Sequence, residues 1–408
     1  MSTSYPKSKL NVLLLENISD EAVQEFRQKG YENITHLKTA LTEEELVSRI
    51  GNVHILGIRS KTNVTAKVLE VAKKLLAVGC FCIGTDQVDM MAAMRKGVVI
   101  FNAPYSNTRS VAELVIGTAI MLIRRIPEKN KLMHEGTWMK DARNSHELRG
   151  KTMGVVGYGN IGSQVSVMAE SLGMKVIFYD TLKKLPLGNA AQASSIGDLL
   201  AAADIISIHT PAGVSTNNMI NSDTLAQCKK GAILINFARG EVVDLSALSH
   251  ALKTGTLSGA AVDVYTNEPG ENGAAFSYPL QQMPNVLLTP HIGGSTEEAQ
   301  VNIGQDVSAK LIAFVDTGIT TGSLSVPELS LPVQENTHRI LHVHKNIPGV
   351  LSAINSELSL HNINILGQYL KTKDETGYVV LDIDRKASRE VADLLGKVKG
   401  TIKVRLLY

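Results

Sequence analysis

Short apolar runs alternate with amphipathic segments along the first hundred residues of the chain. The amphipathic segments place their apolar residues on one face of a helix, as in residues 20–29, 43–50 and 66–74. Such alternation predicts a parallel sheet that is covered by helices on both faces. The runs that predict its strands are residues 11–16, 33–38, 54–60, 75–83 and 98–104.

A long helical pattern over residues 110–136 leads into a second alternating series, which runs from residue 153 to residue 291. We predict a second doubly wound parallel sheet there, with 110–136 as one bridging helix. Residues 295–314 predict a helix that returns to the first domain. The predicted substrate-binding domain is therefore discontinuous and comprises residues 1–106 and 295–332, and the predicted nucleotide-binding domain comprises residues 107–294.

A third pattern begins after residue 336 and predicts a small C-terminal domain over residues 337–408. Its order of elements is βαββαβ, which is that of a ferredoxin-like domain. The predicted fold class is α/β, with two doubly wound Rossmann- or flavodoxin-like domains and a ferredoxin-like domain. The predicted elements are strand 339–346, helix 348–360, strands 363–372 and 377–385, helix 388–398 and strand 401–408.

Composition and charge exclude several classes of function. The chain is 44% apolar and 20% charged, and 41 basic against 39 acidic residues leave a net charge of +2. A net charge this small does not favour binding to nucleic acid or to an anionic membrane. The longest apolar stretch, 111–123, contains Glu113 and is too short to span a bilayer. Cys80 and Cys82 lack a surrounding His or Cys cluster, so we expect buried thiols in the cytoplasm and no metal site.

The most specific local motif is a glycine loop at Gly157, Gly159 and Gly162. It follows an apolar strand, opens a helix over 160–172 and precedes a strand that ends in Asp180, which is the full context of a dinucleotide-binding fingerprint. The first two glycines let backbone approach a pyrophosphate, and Gly162 lets helix and sheet pack closely. Asp180 is suited to the ribose hydroxyls and repels a 2′-phosphate, so we predict NAD rather than NADP.

Three polar residues close successive apolar runs: Arg239, Glu268 and His291. Histidine titrates near neutral pH and suits a general acid/base for interconverting an alcohol and a ketone. Glu268 is placed to hydrogen-bond its ring and raise its pKa, and the planar fork of Arg239 matches a carboxylate. Alone, each has an ordinary structural explanation, as a surface histidine, a turn glutamate or a capping arginine. Together, at strand ends beside a dinucleotide loop, they predict a dehydrogenase.

Six segments carry a resemblance to a known family: FNAPYSNTRSVAE, VVGYGNIG, ARGEVVD, AAVDVYTNEP, LLTPHIGGST and HVHKNIPGVL. The chain resembles the D-2-hydroxyacid dehydrogenases over essentially its whole length, and in particular the members that oxidise 3-phosphoglycerate and carry a C-terminal ACT domain. The resemblance implies that Arg239 orients the substrate, Glu268 polarises the histidine and His291 is the acid/base. It implies cofactor contacts, beyond the glycine loop, at Asn160, Ile161, Asp180, Phe237, Ala238, Arg239, Asp263, His291, Ile292, Gly293 and Gly294.

The resemblance also implies how substrate and neighbouring subunits are recognised. Arg59, Ser60 and Asn107 would hold the carboxylate and phosphate ends of 3-phosphoglycerate. Trp138 and Lys140 resemble a segment that reaches a neighbouring subunit's active site, and the family implies a homotetramer built as a dimer of dimers. A surface role for Arg59 and a packing role for Trp138 are the structural alternatives.

In the C-terminal domain the resemblance implies an effector site for L-serine, the end product of the pathway, at His344, Asn346 and Asn364. Helix capping by Asn346 and a turn role for Asn364 are the alternatives. The predicted function is NAD-dependent oxidation of 3-phosphoglycerate, the first step of serine biosynthesis, with reduction of 2-oxoglutarate as a side activity. The rival functions are another D-2-hydroxyacid dehydrogenase of the glyoxylate/hydroxypyruvate reductase type and a non-catalytic NAD-sensing protein.

Overall fold

The computed structural model describes residues 6–269, 273–332, 337–384 and 388–407. The chain forms two compact units, one from Met1–Ser106 with Gln300–Tyr408 and one from Asn107–Ala299. The C-terminal segment thus groups with the first unit, and the predicted boundaries of three domains stay a prediction.

The first unit begins with a five-stranded sheet in which every strand pair is parallel. Its order, β2-β1-β3-β4-β5, is the doubly wound order of flavodoxin-like folds. Most of its strand residues are buried, because helices cover both faces. The strands are β1 (Val12–Leu14), β2 (Ile34–His36), β3 (Ile55–Ile58), β4 (Ala77–Cys80) and β5 (Val99–Asn102), and the helices are α1 (Asp20–Gln28), α2 (Glu43–Ile50), α3 (Ala66–Val71) and α4 (Met90–Lys96).

The second unit opens with two helices, α5 (Thr108–Ile123) and α6 (Ile126–His134), where the sequence predicts one. The prediction of a single helix over 110–136 is wrong. Arg125 has a left-handed backbone with φ 52°, and its guanidinium bonds both oxygens of Glu128 at 2.5 and 2.7 Å. Pro127 has no N–H to donate to the preceding turn, so a new helix begins around it.

The remainder of the second unit is a seven-stranded sheet of order β12-β11-β10-β9-β6-β7-β8, again parallel throughout. The strand order reverses between β6 and β9, and ligands of such sheets bind outside the carboxyl ends of the strands at this point. The elements are β6 (Thr152–Val156), α7 (Asn160–Ser171), β7 (Lys175–Tyr179), β8 (Ala191–Gln192), α8 (Ile196–Ala202), β9 (Ile205–Ile208), α9 (Ser222–Leu225), β10 (Ala232–Asn236), α10 (Leu245–Thr254), β11 (Leu257–Val262) and β12 (Val286–Leu288).

A long helix, α11 (Glu297–Thr317), precedes a four-stranded antiparallel sheet of order β14-β15-β13-β16. The predicted βαββαβ order and the predicted α/β fold class are confirmed. Within the first unit, this antiparallel sheet shares an apolar core with α11 and the five-stranded parallel sheet. The Tyr378 hydroxyl donates to the Gly318 carbonyl at 2.7 Å. The elements are β13 (His338–Lys345), α12 (Val350–Leu360), β14 (Ile365–Lys373), β15 (Thr376–Ile383), α13 (Ser388–Gly396) and β16 (Thr401–Leu407).

The part of the chain that the structure describes, residues 6–269, 273–332, 337–384 and 388–407, contains neither a candidate membrane-spanning helix nor a candidate metal site. No helix there has the length and apolarity that crossing a membrane requires. Likewise, no three His, Cys, Asp or Glu side chains gather there in a way that could hold a metal ion.

Candidate active site

The glycine loop between β6 and α7 has the geometry that a pyrophosphate requires. Gly157 has φ +93°, and a Cβ there would lie 2.6 Å from the His209 carbonyl oxygen. A Cβ on Gly162 would overlap the Gly157 carbonyl oxygen, so a side chain there would force α7 off the strand. A Cβ on Gly159 would meet nothing within 4 Å, which leaves open space at the start of α7. No side chain caps this helix, and its first N–H groups remain free for an anion.

Asp180 stands directly after β7 and is tied to the glycine loop. Its Oδ2 accepts from the Tyr158 amide and its Oδ1 from the Leu182 amide, both at 2.9 Å. The Tyr158 ring stacks on Phe178 with centroids 3.8 Å apart, which fixes the loop on its other side. Each carboxylate oxygen keeps a lone pair for a ribose hydroxyl. The residues present therefore fit NAD at this end of the sheet.

Two residues that the sequence did not predict border the glycine loop, since a Cβ on Gly157 would lie 2.6 Å from an atom of one and 3.1 Å from an atom of the other. His209 and Thr210 follow β9, next to β6 in the sheet, and the Nδ1 and Oγ1 atoms of the two residues are buried without a hydrogen-bond partner. Burial lowers the pKa of His209, so the ring is neutral, and its Nε2 bonds Ser207 Oγ at 2.8 Å. Unpaired buried polar atoms beside a dinucleotide loop are natural partners for the ligand. The strand-end rule that selected Arg239 would have selected them too.

Arg239 lies in a tight turn after β10. The Asn236 side chain closes this turn, since its amide donates to the Arg239 carbonyl at 3.0 Å and its oxygen accepts from the Ala238 amide at 3.2 Å. A Cβ on Gly240 would come within 2.5 Å of the Thr266 nitrogen, so this turn packs directly on the chain that follows β11. Asn236 and Gly240 thus fix the backbone from which the Arg239 guanidinium projects.

Asp263 follows β11 and organises the segment that contains His291. It is 1% exposed, and one carboxylate oxygen accepts from Thr289 Oγ1 at 2.6 Å and from the Ile292 amide at 2.9 Å. The other oxygen accepts from the Gly293 amide at 2.7 Å. A carboxylate with these partners holds the backbone on both sides of His291 in place. Its predicted direct contact with the cofactor stays a prediction.

His291 and Glu268 form a hydrogen-bonded pair. The His291 Nδ1 lies 2.8 and 3.0 Å from the two Glu268 oxygens, and half of the His291 side chain is exposed. The hydrogen bond with Glu268 raises the pKa of His291 against the opposing effect of burial. Burial alone would raise the pKa of Glu268, but hydrogen bonds from His291 and the Tyr265 amide outweigh it and lower that pKa. The free Nε2 is left to exchange a proton with a substrate.

Asn107 comes close to the same loop within the second unit. A Cβ on Gly294 would overlap the Asn107 side-chain amide, so the two residues are in direct contact. The Asn107 Oδ1 is buried without a donor, and its side chain does not cap α5. The nearby Ser110 and Thr296 hydroxyls are 3.0 Å apart. The predicted substrate residue Asn107 therefore has an unused acceptor beside the predicted cofactor residue Gly294.

Arg59 and Ser60 begin the loop after β3 in the first unit, and Glu16 holds that loop. One Glu16 oxygen accepts from the Arg59 and Thr62 amides at 3.1 and 2.9 Å, and the other accepts from the Lys61 amide at 3.0 Å. Glu16 is 8% exposed and has a left-handed backbone with φ 61°. Sequence reasoning missed it, because nothing local distinguishes a glutamate after β1 from a surface residue.

The predicted effector residues lie in the antiparallel sheet and its loops. His344 is 4% exposed, with Nδ1 2.8 Å from the Lys345 carbonyl and Nε2 buried without a partner. The Asn346 side chain donates to the Asp374 carbonyl at 3.0 Å and does not cap α12, whose N-cap is Gly349. Asn364 is exposed before β14. The capping alternative for Asn346 is wrong, and the effector role stays a prediction.

Two family models match the chain. Residues 116–293 match the NAD-binding domain of the D-isomer specific 2-hydroxyacid dehydrogenases. Residues 340–403 match the AHAS small subunit-like ACT domain. The first match covers the glycine loop, Asp180, Arg239, Glu268 and His291, and the second covers most of the antiparallel sheet. NAD is therefore the cofactor of this chain.

Curated relatives match over the whole length. The D-3-phosphoglycerate dehydrogenase of Haemophilus influenzae is 50% identical over 99% of both chains. The enzyme of the same name from Escherichia coli K12 is 48% identical over 99% of both chains. D-3-phosphoglycerate dehydrogenase 2 of Saccharomyces cerevisiae is 44% identical over 98% of this chain and 88% of its own.

Solved structures give the same fold. A Thermus thermophilus protein is 32% identical with a TM-score of 0.68, over 75% of this chain and 97% of its own. The Aquifex aeolicus D-lactate dehydrogenase, solved with NAD and lactic acid, is 26% identical with a TM-score of 0.67, over 78% of this chain and 100% of its own. The chain belongs to the D-isomer specific 2-hydroxyacid dehydrogenases, and within them to the D-3-phosphoglycerate dehydrogenase family.

Proposed function

We propose that the protein oxidises the C2 hydroxyl of 3-phospho-D-glycerate to 3-phosphohydroxypyruvate with NAD, the first step of L-serine biosynthesis. The full-length similarity to curated D-3-phosphoglycerate dehydrogenases supports the substrate. The observation that carries the chemistry is the His291–Glu268 pair at 2.8 Å, because an NAD-sensing protein without catalysis has no need of a polarised histidine.

The proposed mechanism assigns one task to each residue. The neutral His291 takes the hydroxyl proton on Nε2 while the C2–O bond becomes a carbonyl, and bound NAD supplies the acceptor for the C2 hydride. Glu268 stabilises the imidazolium that forms, since its carboxylate lies against Nδ1. Arg239 binds the substrate carboxylate and so orients C2, a positioning effect. In the reverse direction the same histidine donates the proton.

We propose that Arg59, Ser60 and Asn107 bind the carboxylate and phosphate ends of the substrate. A dianionic phosphate needs a cation, and Arg59 supplies a planar donor from a loop that Glu16 fixes. The unpaired Asn107 Oδ1 is free to accept from a substrate hydroxyl. In the reverse direction the same site would reduce 2-oxoglutarate with NADH, because 2-oxoglutarate, like 3-phosphohydroxypyruvate, has a carboxylate beside a ketone carbonyl.

We further propose that L-serine inhibits the enzyme through the ACT domain. The family match over residues 340–403 supports an amino acid as ligand. His344, Asn346 and Asn364 are the proposed contacts, and the unpartnered Nε2 of His344 is a polar group that a ligand would satisfy. The proposed assembly is a cytoplasmic dimer of dimers, in which Trp138, 75% exposed, and the exposed Lys140 reach a neighbouring subunit.

The deciding experiment measures NADH absorbance with NAD and 3-phosphoglycerate, with and without L-serine. His291→Asn should lower turnover by ~10²–10⁴ while the affinity for NADH is kept. Asparagine tolerates the left-handed backbone at His291, φ 53°, so the variant should fold. The control is His250→Asn, the same replacement at an exposed position of α10.

Each rival function predicts a different result. Equal efficiency with glyoxylate or hydroxypyruvate would favour an unphosphorylated substrate. Absence of NADH formation with every 2-hydroxy acid, together with intact NADH binding, would favour the NAD-sensing protein. Turnover above half of normal in His291→Asn would show that another group is the base.

A further inference from the structure

A cavity of about 630 Å³ lies within the second unit, at the end of its sheet that is remote from the glycine loop. Its lining includes Lys151, Asp204, Gly231 and Asn285, which directly precede β6, β9, β10 and β12. These are the amino ends of parallel strands, whereas the cofactor fingerprint occupies the carboxyl ends. The cavity is therefore separate from the site described above, and it has the size of a small-molecule pocket.

The cavity has a large excess of positive charge. Its charged and titratable lining residues are Arg125, His146, Lys151, Asp204, Lys229, Lys230 and Lys253, with a single carboxylate among them. That carboxylate is already engaged, since Asp204 bonds Lys229 at 2.7 Å and accepts from the Thr152 amide. Glu128 neutralises Arg125.

Four basic groups of the cavity form no close ion pair among the described residues, although the charge of Lys151 acts on Asp204: His146, Lys151, Lys230 and Lys253. Helix C-termini account for two of them. Lys253 lies in the last turn of α10, where a cation is favourable. His146 lies at the end of α5, where its amide donates to the Ile123 carbonyl at 3.0 Å, and Lys151 and Lys230 lie in the connections before β6 and β10. Cations gathered around a concave surface repel one another, and an anion in the cavity relieves that repulsion.

The rest of the lining suits the body of an organic molecule. Leu122, Ile233, Leu257 and Met283 provide apolar walls. Asn285, 2% exposed, donates its amide hydrogens to the Leu122 and Ser258 carbonyls, while its Oδ1 is buried without a donor. A buried acceptor without a donor lowers the stability of the folded unit. A ligand hydroxyl or a protonated phosphate oxygen would donate a hydrogen bond to this Oδ1.

We propose that this cavity binds a small anion of at least two negative charges, a phosphorylated or polycarboxylate metabolite, at a site separate from both the cofactor and the ACT domain. Nucleic acid is a poor fit, because the surplus charge is confined to one cavity and the whole chain carries only +2. A ligand here binds the folded unit and should raise its unfolding temperature.

The test is calorimetric titration of the full chain, saturated with NADH and free of phosphate, with pyrophosphate and with citrate. Saturating NADH fills the glycine loop but leaves the proposed substrate site open, so the heat that reports the cavity is the part that is lost when cavity lysines are replaced. Tighter binding of pyrophosphate would identify a phosphorylated ligand, and tighter binding of citrate a polycarboxylate. Potassium chloride at matched ionic strength is the control for screening.

The double variant Lys230→Gln, Lys253→Gln should weaken anion binding ~10–100-fold, because hydrogen bonds to charged groups are lost. Its NADH affinity and NADH production should stay normal, which shows that it folds. Lys131→Gln removes one positive charge from the second unit outside the cavity lining, and this variant should bind as the unmodified protein does. Absence of binding in the NADH-saturated protein, or equal loss in Lys131→Gln, would overturn the proposal.

Discussion

Glu16 offers a test of whether the loop at Arg59 binds the substrate phosphate. The substitution Glu16→Gln keeps the shape of the side chain and one carbonyl oxygen. That oxygen can still accept from the Arg59 and Thr62 amides, but the new NH₂ group then faces the Lys61 amide, donor against donor. Losing one buried hydrogen bond to a charged acceptor costs ~1.5–3 kcal/mol.

This cost should appear in two measurements. For a unit of this size, each kcal/mol lowers the unfolding temperature by about 2–4 °C. A displaced Arg59 would also lose part of its contact with the phosphate, and a loss of ~1.4 kcal/mol raises KM about tenfold. The KM for 3-phosphoglycerate should therefore rise about tenfold in steady-state NADH assays, while KM for an unphosphorylated 2-hydroxy acid and the affinity for NADH change little.

Glu21→Gln is the matched control, because Glu21 is exposed on α1. A lower unfolding temperature with an unchanged KM for 3-phosphoglycerate would mean that Glu16 holds the loop but the loop does not hold the substrate. No change in either quantity would refute the hydrogen-bond reasoning itself.

Three further predictions concern the cofactor, the base and the effector. Oxidation needs neutral His291, and Glu268 raises the pKa of this histidine. In Glu268→Gln that pKa should fall, so the acid limb of the pH profile of kcat/KM should move to lower pH. An acid limb that does not move would show that Glu268 does not have this role. Asp180→Ala should raise NADP efficiency relative to NAD in parallel assays, because the charge that repels the 2′-phosphate is gone, and an unchanged ratio would place the acid away from the ribose. Asn364→Ala should weaken L-serine inhibition while uninhibited turnover stays normal; serine binding without inhibition, measured by calorimetry, would refute the coupling and keep the site.

Local patterns predicted much of this fold, because burial leaves a periodic trace in the sequence. Apolar runs of strand length located β1 to β5 to within a few residues, and the βαββαβ order of the last domain was predicted from spacing alone. The glycine loop was predicted for a similar reason, since backbone crowding at Gly157 and Gly162 excludes a side chain. The helix break at Arg125 was missed, although Pro127 is a local signal, because the left-handed backbone depends on the contact with Glu128.

What the sequence by itself determined was the order of elements, the cofactor loop and the residue types at the strand ends. The tertiary structure decided how those residues are held. Glu16 bonds amides 43 to 46 residues away, and Asp263 bonds partners 26 to 30 residues away. The cavity beside Asn285 likewise gathers basic residues from distant connections. Periodicity reports only whether a position is buried, whereas the partner of a buried carboxylate is fixed by which strands lie side by side in the folded sheet.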